Sequence, residues 1–147
     1  MPTKRWLDNM KTSNNTSIPF YYFLPGILWF GIILLLICLP QSKVPVVDFW
    51  WMELLRPDKI IHAMMFGVQS LLFILPFKKA KPNAIATKKR IIGISILVML
   101  WGLATECIQL NVPGRSFEWL DWLADSVGVF IIMIYFLRQQ KNVSHHL

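Results

Sequence analysis

YYFLPGILWFGIILLLICL, residues 21–39, contains no charged residue and no strongly polar one over its whole length. At 1.5 Å per residue such a run reaches about 28 Å as a helix, close to the hydrocarbon thickness of a bilayer. It reads as a spanning helix. Pro25 and Gly26 near its start are tolerated in lipid, and Pro40 followed by Gln41-Ser42-Lys43 ends it. The aromatic clusters Phe20-Tyr21-Tyr22-Phe23 before it and Phe49-Trp50-Trp51 after it have the character of interfacial anchors.

Three further runs of similar length follow. The spacing predicts spans at about residues 20–39, 58–77, 91–110 and 120–137, joined by short loops. Short loops make sequential helices antiparallel neighbours, so the expected fold is all-α: an integral membrane protein built as an antiparallel bundle of four transmembrane helices. The composition agrees. A chain of 147 residues that is 55% hydrophobic, 14% aromatic and only 16% charged carries too much apolar surface for water. Residues 1–147 therefore read as a single transmembrane domain with no room for a second unit. No cleavable secretory signal is expected, because the first run starts late and no A-x-A-like site follows it.

The net charge of +7 does not indicate nucleic acid, since the basic residues flank apolar runs instead of interleaving with exposed aromatics. They indicate orientation. Lys4, Arg5 and Lys11 precede span one; Lys78, Lys79, Lys81, Lys88, Lys89 and Arg90 join spans two and three; Arg138 and Lys141 follow span four. The alternate loops hold only Lys43, Arg56, Lys59 and Arg115. The positive-inside bias then places both termini and the middle loop in the cytoplasm. The middle loop, KKAKPNAIATKKR, reads as a topology determinant, with anionic lipid headgroups as the other reading. The acidic residues sort the other way: Asp48, Glu53, Asp58, Glu106, Glu118, Asp121 and Asp125 all fall toward the outer side.

Helix arithmetic gathers the polar residues of the spans. Asp58, His62 and Gln69 fall within about 40° of one another on the second helix, at 100° per residue. Gly102, Glu106 and Gln109 share a face of the third, with Gly102 offering close helix approach, and Asp121 and Asp125 share a face of the fourth that Gly128 continues inward. Arg115 follows a Pro113-Gly114 turn expected to aim it back at this group, and Ser116 is the expected cap of the turn into span four. Asp58, Lys59, His62, Glu106, Gln109, Arg115, Asp121 and Asp125 are thus the candidate ligand-binding cluster, at one depth near the outer face. Ionisable groups in a membrane span are costly unless paired or hydrated, which makes each a functional-site candidate. Interhelical glue is the competing reading for each one taken singly.

Neither a catalytic residue nor a metal or other cofactor is assigned. Asp58, His62, Glu106, Asp121 and Asp125 are chemically suitable ligands, but no HExxH or similar local motif occurs. Glu106 and His62 suit acid–base chemistry, yet no nucleophile stands beside them: Cys107 points about 100° away from Glu106. Cys38 and Cys107 have neither CxxC nor metal-finger spacing and read as small apolar packers.

Taken together, Asp58-Lys59-x-x-His62, Glu106-x-x-Gln109, Pro113-Gly114-Arg115 and Asp121-x-x-x-Asp125-x-x-Gly128 resemble the pattern of the VanZ-like family of small bacterial membrane proteins. The motifs cover spans two to four; span one fits by position, and the family often has Asn at the position of Asp125. The family takes its name from an accessory protein of glycopeptide-resistance clusters associated with low-level teicoplanin resistance. The resemblance implies a multi-pass protein of the bacterial plasma membrane with a role in the cell envelope or in tolerance of envelope-directed antibiotics. The expected activity is binding, with membrane lipids as partners and an anionic headgroup or a glycopeptide-related ligand at the cluster, Lys59 and Arg115 being its anion contacts. A membrane-embedded enzyme or metal-dependent hydrolase acting on envelope lipids, and a structural or partner-binding subunit, are the alternatives.

Overall fold

A computed structural model describes residues 18–40, 57–79 and 84–144. The Phe49-Trp50-Trp51 anchor, the basic residues before span one, and Lys43 and Arg56 lie outside the described residues. Among the described residues there are no strands, and four long helices carry the chain: α1 (Leu24–Ile37), α2 (Pro57–Lys79), α3 (Ala84–Gln109) and α4 (Trp119–Ser144). A 3-10 turn, Phe20–Phe23, leads into α1, where Pro25 occupies the first turn and so removes no hydrogen bond. Four segments, Phe20–Ile37, Asp58–Phe77, Thr87–Gln109 and Trp119–Gln140, are long and apolar enough to cross a membrane.

The third helix starts before the expected residue 91. Ala84, Ile85 and Ala86 suit a helix, so it begins in what reads from sequence as loop, and its crossing segment begins at Thr87. Lys88, Lys89 and Arg90 consequently sit on the helix itself. The Arg90 guanidinium lies 5.3 Å from the centre of the Phe77 ring, joining the end of α2 to the start of α3.

Pairings fix the up-down arrangement. Phe23 meets Phe77 edge-on, Trp29 Nε1 donates to Met65 O (2.9 Å) and Gln69 Nε2 donates to Gly26 O (3.1 Å), so α1 runs antiparallel to α2. Glu118 N–H donates to Glu106 Oε2 (3.0 Å), Gly102 faces Asp125 and Ile91 shares a cluster with Phe136, so α3 runs antiparallel to α4, and Trp122 Nε1 ties the pair by donating to Met99 O (3.1 Å). The most extensive packing joins α2 and α4, which run the same way. There Gly67 and Gly128 bring the two backbones together: a Cβ on Gly67 would stand 3.4 Å from Gly128 O, and one on Gly128 would overlap the Ala63 carbonyl.

Burial is sorted as lipid demands. Large apolar side chains such as Leu28, Leu35 (72% exposed), Leu97 and Ile131 point outward. Inside, Ile33, Ile37, Phe66, Val98 and Val129 form one core and Ile74, Ile91 and Phe136 a second, toward the end where α2 finishes. Gln69, Ser70, Ser95, Thr105, Glu106, Gln109 and Asp125 are buried among them. Polar groups inside and apolar groups outside is the order expected of a bundle whose solvent is hydrocarbon.

Candidate functional site

The end of the bundle where α2 and α4 begin and α3 finishes carries two layers of charge. At the rim, the Lys59 ammonium meets three carboxylates: Asp58 Oδ2 at 2.9 Å, Glu118 Oε2 at 2.7 Å and Asp121 Oδ1. An ammonium has three N–H donors, so these partners account for all of them. Asp58 and Glu118 are half exposed and Asp121 is largely covered.

One turn deeper, His62 Nδ1 lies 3.0 Å from Asp125 Oδ1 and His62 Nε2 lies 3.7 Å from Asp121 Oδ2. Glu106 reaches in from α3 and its Oε2 accepts the backbone N–H of Glu118 (3.0 Å). That bond occupies one of the N–H groups left without a helical partner at the start of α4, whose first turn also has Trp122 N–H donating to Glu118 O. Glu106 and Asp125 are both 0% exposed. One ligand atom from each of His62, Glu106 and Asp125 lies within 4.8 Å of the others. Among the described residues Glu106 Oε1 and Asp125 Oδ2 have no hydrogen-bond partner. Asp125 fits because Gly102 opposite has no side chain: a Cβ there would stand 3.0 Å from Asp125 Oδ2.

Six of the eight residues singled out from sequence therefore meet: Asp58, Lys59, His62, Glu106, Asp121 and Asp125. Gln109 is buried, and it is its backbone carbonyl that is engaged, accepting the Val112 N–H (2.9 Å). Gln69, on the same face of α2 as His62, instead bonds to α1. Arg115 stands after a turn in which its N–H donates to Val112 O (3.1 Å), with Gly114 at φ 78°, the Pro-Gly pattern of a type II turn. Its half-buried side chain has Nε without a partner among the described residues, and Lys59 is the cation that holds the carboxylates.

Two local expectations are corrected. Ser116 does not cap span four, because α4 starts at Trp119 and Glu118 occupies the flanking position. Glu118, counted from sequence among the outer acids but not in the cluster, joins both layers: its side chain binds Lys59 and its N–H holds Glu106. Its spacing of three residues from Asp121 was the available signal, since that puts both carboxylates on one side of a first helical turn. Cys38 and Cys107 are free thiols on exposed positions of the helices.

Among known proteins, a cystinosin homolog of Arabidopsis thaliana is 27% identical over 81 residues, covering 55% of this chain and 28% of that protein. The chain thus spans well under half the length of that relative. No solved structure matches. The profile of the VanZ/LLP1 family matches residues 7–139, nearly the whole chain and all four membrane-spanning helices. This multi-pass membrane protein belongs to the VanZ/LLP1 family.

Proposed function

We propose that the chain is a binding protein of the bacterial plasma membrane, oriented with both termini in the cytoplasm, whose charged cluster takes the headgroup of an amphiphilic envelope ligand at the outer face. The observation that carries this reading is a groove of about 650 Å³ between α2 and α4. Its walls are Ile60, Ala63, Met64, Gly67, Leu123, Val127 and Ile131, and among the described residues Lys59 is its one charged lining residue. Lys59 is also the hub of the rim carboxylates. An apolar trough that ends on an ionic network suits a molecule with an acyl chain and a polar head, the chain replacing membrane lipid and the head meeting the network.

Arg115 is the anion contact in this proposal, because among the described residues no carboxylate pairs with its guanidinium while the Lys59 donors are committed. The half-exposed Asp58 and Glu118 carboxylates accept hydrogen bonds from hydroxyl or amine groups of the same headgroup. An enzymatic reading has less support: among the described residues no hydroxyl or thiol bonds to His62 or Glu106, and the Thr105 hydroxyl is spent on the Gly102 carbonyl (2.7 Å).

Family membership makes glycopeptide tolerance the activity to test first. A teicoplanin-sensitive bacterial host would express the parent, Glu106→Gln or Arg115→Lys at matched membrane abundance and unchanged melting temperature in detergent. Protection by the parent that both variants lose supports the cluster as a binding site for that ligand. Equal protection by all three sinks the site. If none protects, the glycopeptide reading fails, and native mass spectrometry of co-purified lipid, with Ala124→Leu to fill the groove, decides the lipid reading.

A further inference from the structure

We infer that His62, Glu106 and Asp125 form a site for one divalent transition-metal ion of the zinc class. The inference goes beyond headgroup binding and stands or falls without it.

Among the described residues two trios of potential ligands lie at this end of the bundle: Asp58, Glu118 and Asp121 at the rim, and His62, Glu106 and Asp125 beneath. The rim trio already has its cation, because the Lys59 ammonium sits against all three carboxylates. Among the described residues no lysine or arginine pairs with the inner trio. Two carboxylates at 0% exposure face one imidazole, and each keeps one oxygen, Glu106 Oε1 and Asp125 Oδ2, with no partner among the described residues. A buried carboxylate needs a compensating charge, and a single doubly charged ion balances both.

The donor set selects the ion. One imidazole nitrogen with two carboxylates suits Zn²⁺ and its transition-metal neighbours, whereas Ca²⁺ and Mg²⁺ favour all-oxygen surroundings. The 3.0 Å between His62 Nδ1 and Asp125 Oδ1 is the separation of two atoms that share a proton or a cation. On the far side of the ring, Nε2 faces Asp121 Oδ2 at 3.7 Å, and Asp121 is itself anchored by Lys59. A carboxylate behind the second nitrogen is the usual support of a metal-bound histidine, fixing its tautomer and strengthening the donor. No local motif marks such a site because its three ligands come from α2, α3 and α4, more than 40 residues apart in the case of His62 and Glu106.

The test is zinc titration of the full chain, stripped by chelator and held in phosphatidylcholine nanodiscs, with His145→Ala and His146→Ala introduced so that tail histidines do not contribute. One Zn²⁺ per chain is expected, with Mg²⁺ and Ca²⁺ failing to compete. His62→Ala and Glu106→Ala should each weaken binding by more than about 100-fold, and Asp125→Asn, which keeps an oxygen and loses a charge, by about tenfold. Asp58→Asn should leave it unchanged. X-ray absorption of the zinc-loaded parent, which does not depend on any ligand variant folding, should show one imidazole in the coordination sphere. The proposal is overturned if the chain takes up no stoichiometric zinc, if the bound zinc has no imidazole ligand, or if Asp58→Asn abolishes binding that Glu106→Ala retains. Since phosphatidylcholine carries no net charge and no hydroxyl or amine donor for the rim, failure here leaves the lipid and glycopeptide readings untouched, and their failure leaves a zinc result standing.

Discussion

Lys59 is the residue on which the rim depends. Three carboxylates from α2, the α3–α4 turn and α4 close on one ammonium, and removing it leaves three negative charges facing one another at the membrane boundary. Lys59→Met is expected to cost about 2 kcal/mol, less than a fully buried pair would because Asp58 and Glu118 reach solvent. In an Asp121→Asn background the same substitution should cost measurably less, which a double-mutant cycle from unfolding in detergent micelles would read. Equal costs in both backgrounds would deny the pairing its energetic role. At this scale the sequence is partly legible. Residues on regular helix, such as Asp58, His62, Asp121 and Asp125, reach the same end of the bundle because a 100° rotation per residue places them on shared faces. Glu118 is signalled only by its spacing of three residues from Asp121, whereas Arg115 lies in the Pro-Gly turn, where no helical periodicity applies and its placement follows from loop geometry.

Element packing turns on where backbones approach. The α2–α4 seam admits no side chain at position 128, because a Cβ there meets the Ala63 carbonyl of the other backbone. Gly128→Ala should therefore destabilise by about 2–3 kcal/mol, the usual cost of overpacking. Gly31→Ala and Gly93→Ala, with nothing within 4 Å of the added methyl group, should fall within about 0.5 kcal/mol of the parent or above it. Thermal unfolding of the three variants in one detergent checks the contrast. The α1–α2 seam is a polar one: Gln69 and Trp29 each donate to a carbonyl of the partner helix. Gln69→Leu should cost about 1 kcal/mol, the typical worth of such a bond between membrane helices, while leaving the charged cluster intact. Sequence marks Gly102 as a place of close approach but not the Gly67, Ala63 and Gly128 of the α2–α4 seam, because which two helices touch is a tertiary fact. Boundaries are legible where polarity changes abruptly, as at the end of α1, and less so where helix-forming Ala84 and Ala86 carry α3 past the apolar limit.

On the scale of the molecule, four spans, their order and their alternation follow from hydropathy and loop length, since lipid leaves a chain no other way to satisfy its backbone. The distribution of Lys and Arg predicts that reporters fused after the last helix behave as cytoplasmic: a fluorescent protein there should fold and alkaline phosphatase should stay inactive. The reverse result would move the charged cluster to the inner face and remove the proposed encounter with an external ligand. Which ligand the cluster meets is not legible in helix periodicity, because recognition depends on the shape of a groove made by two helices that are not neighbours in sequence.

That same α2–α4 seam has a consequence for how the protein is made. As spans enter the membrane in order, α2 arrives with Asp58, Lys59, His62 and Gln69, but Asp121 and Asp125 are still to be synthesised. Until α4 is inserted, the His62 ring lacks Asp125 and the Lys59 ammonium has only Asp58 of its three carboxylates. Insertion of the last helix is thus what brings His62 and Lys59 their remaining partners and closes the polar interior at this end of the bundle.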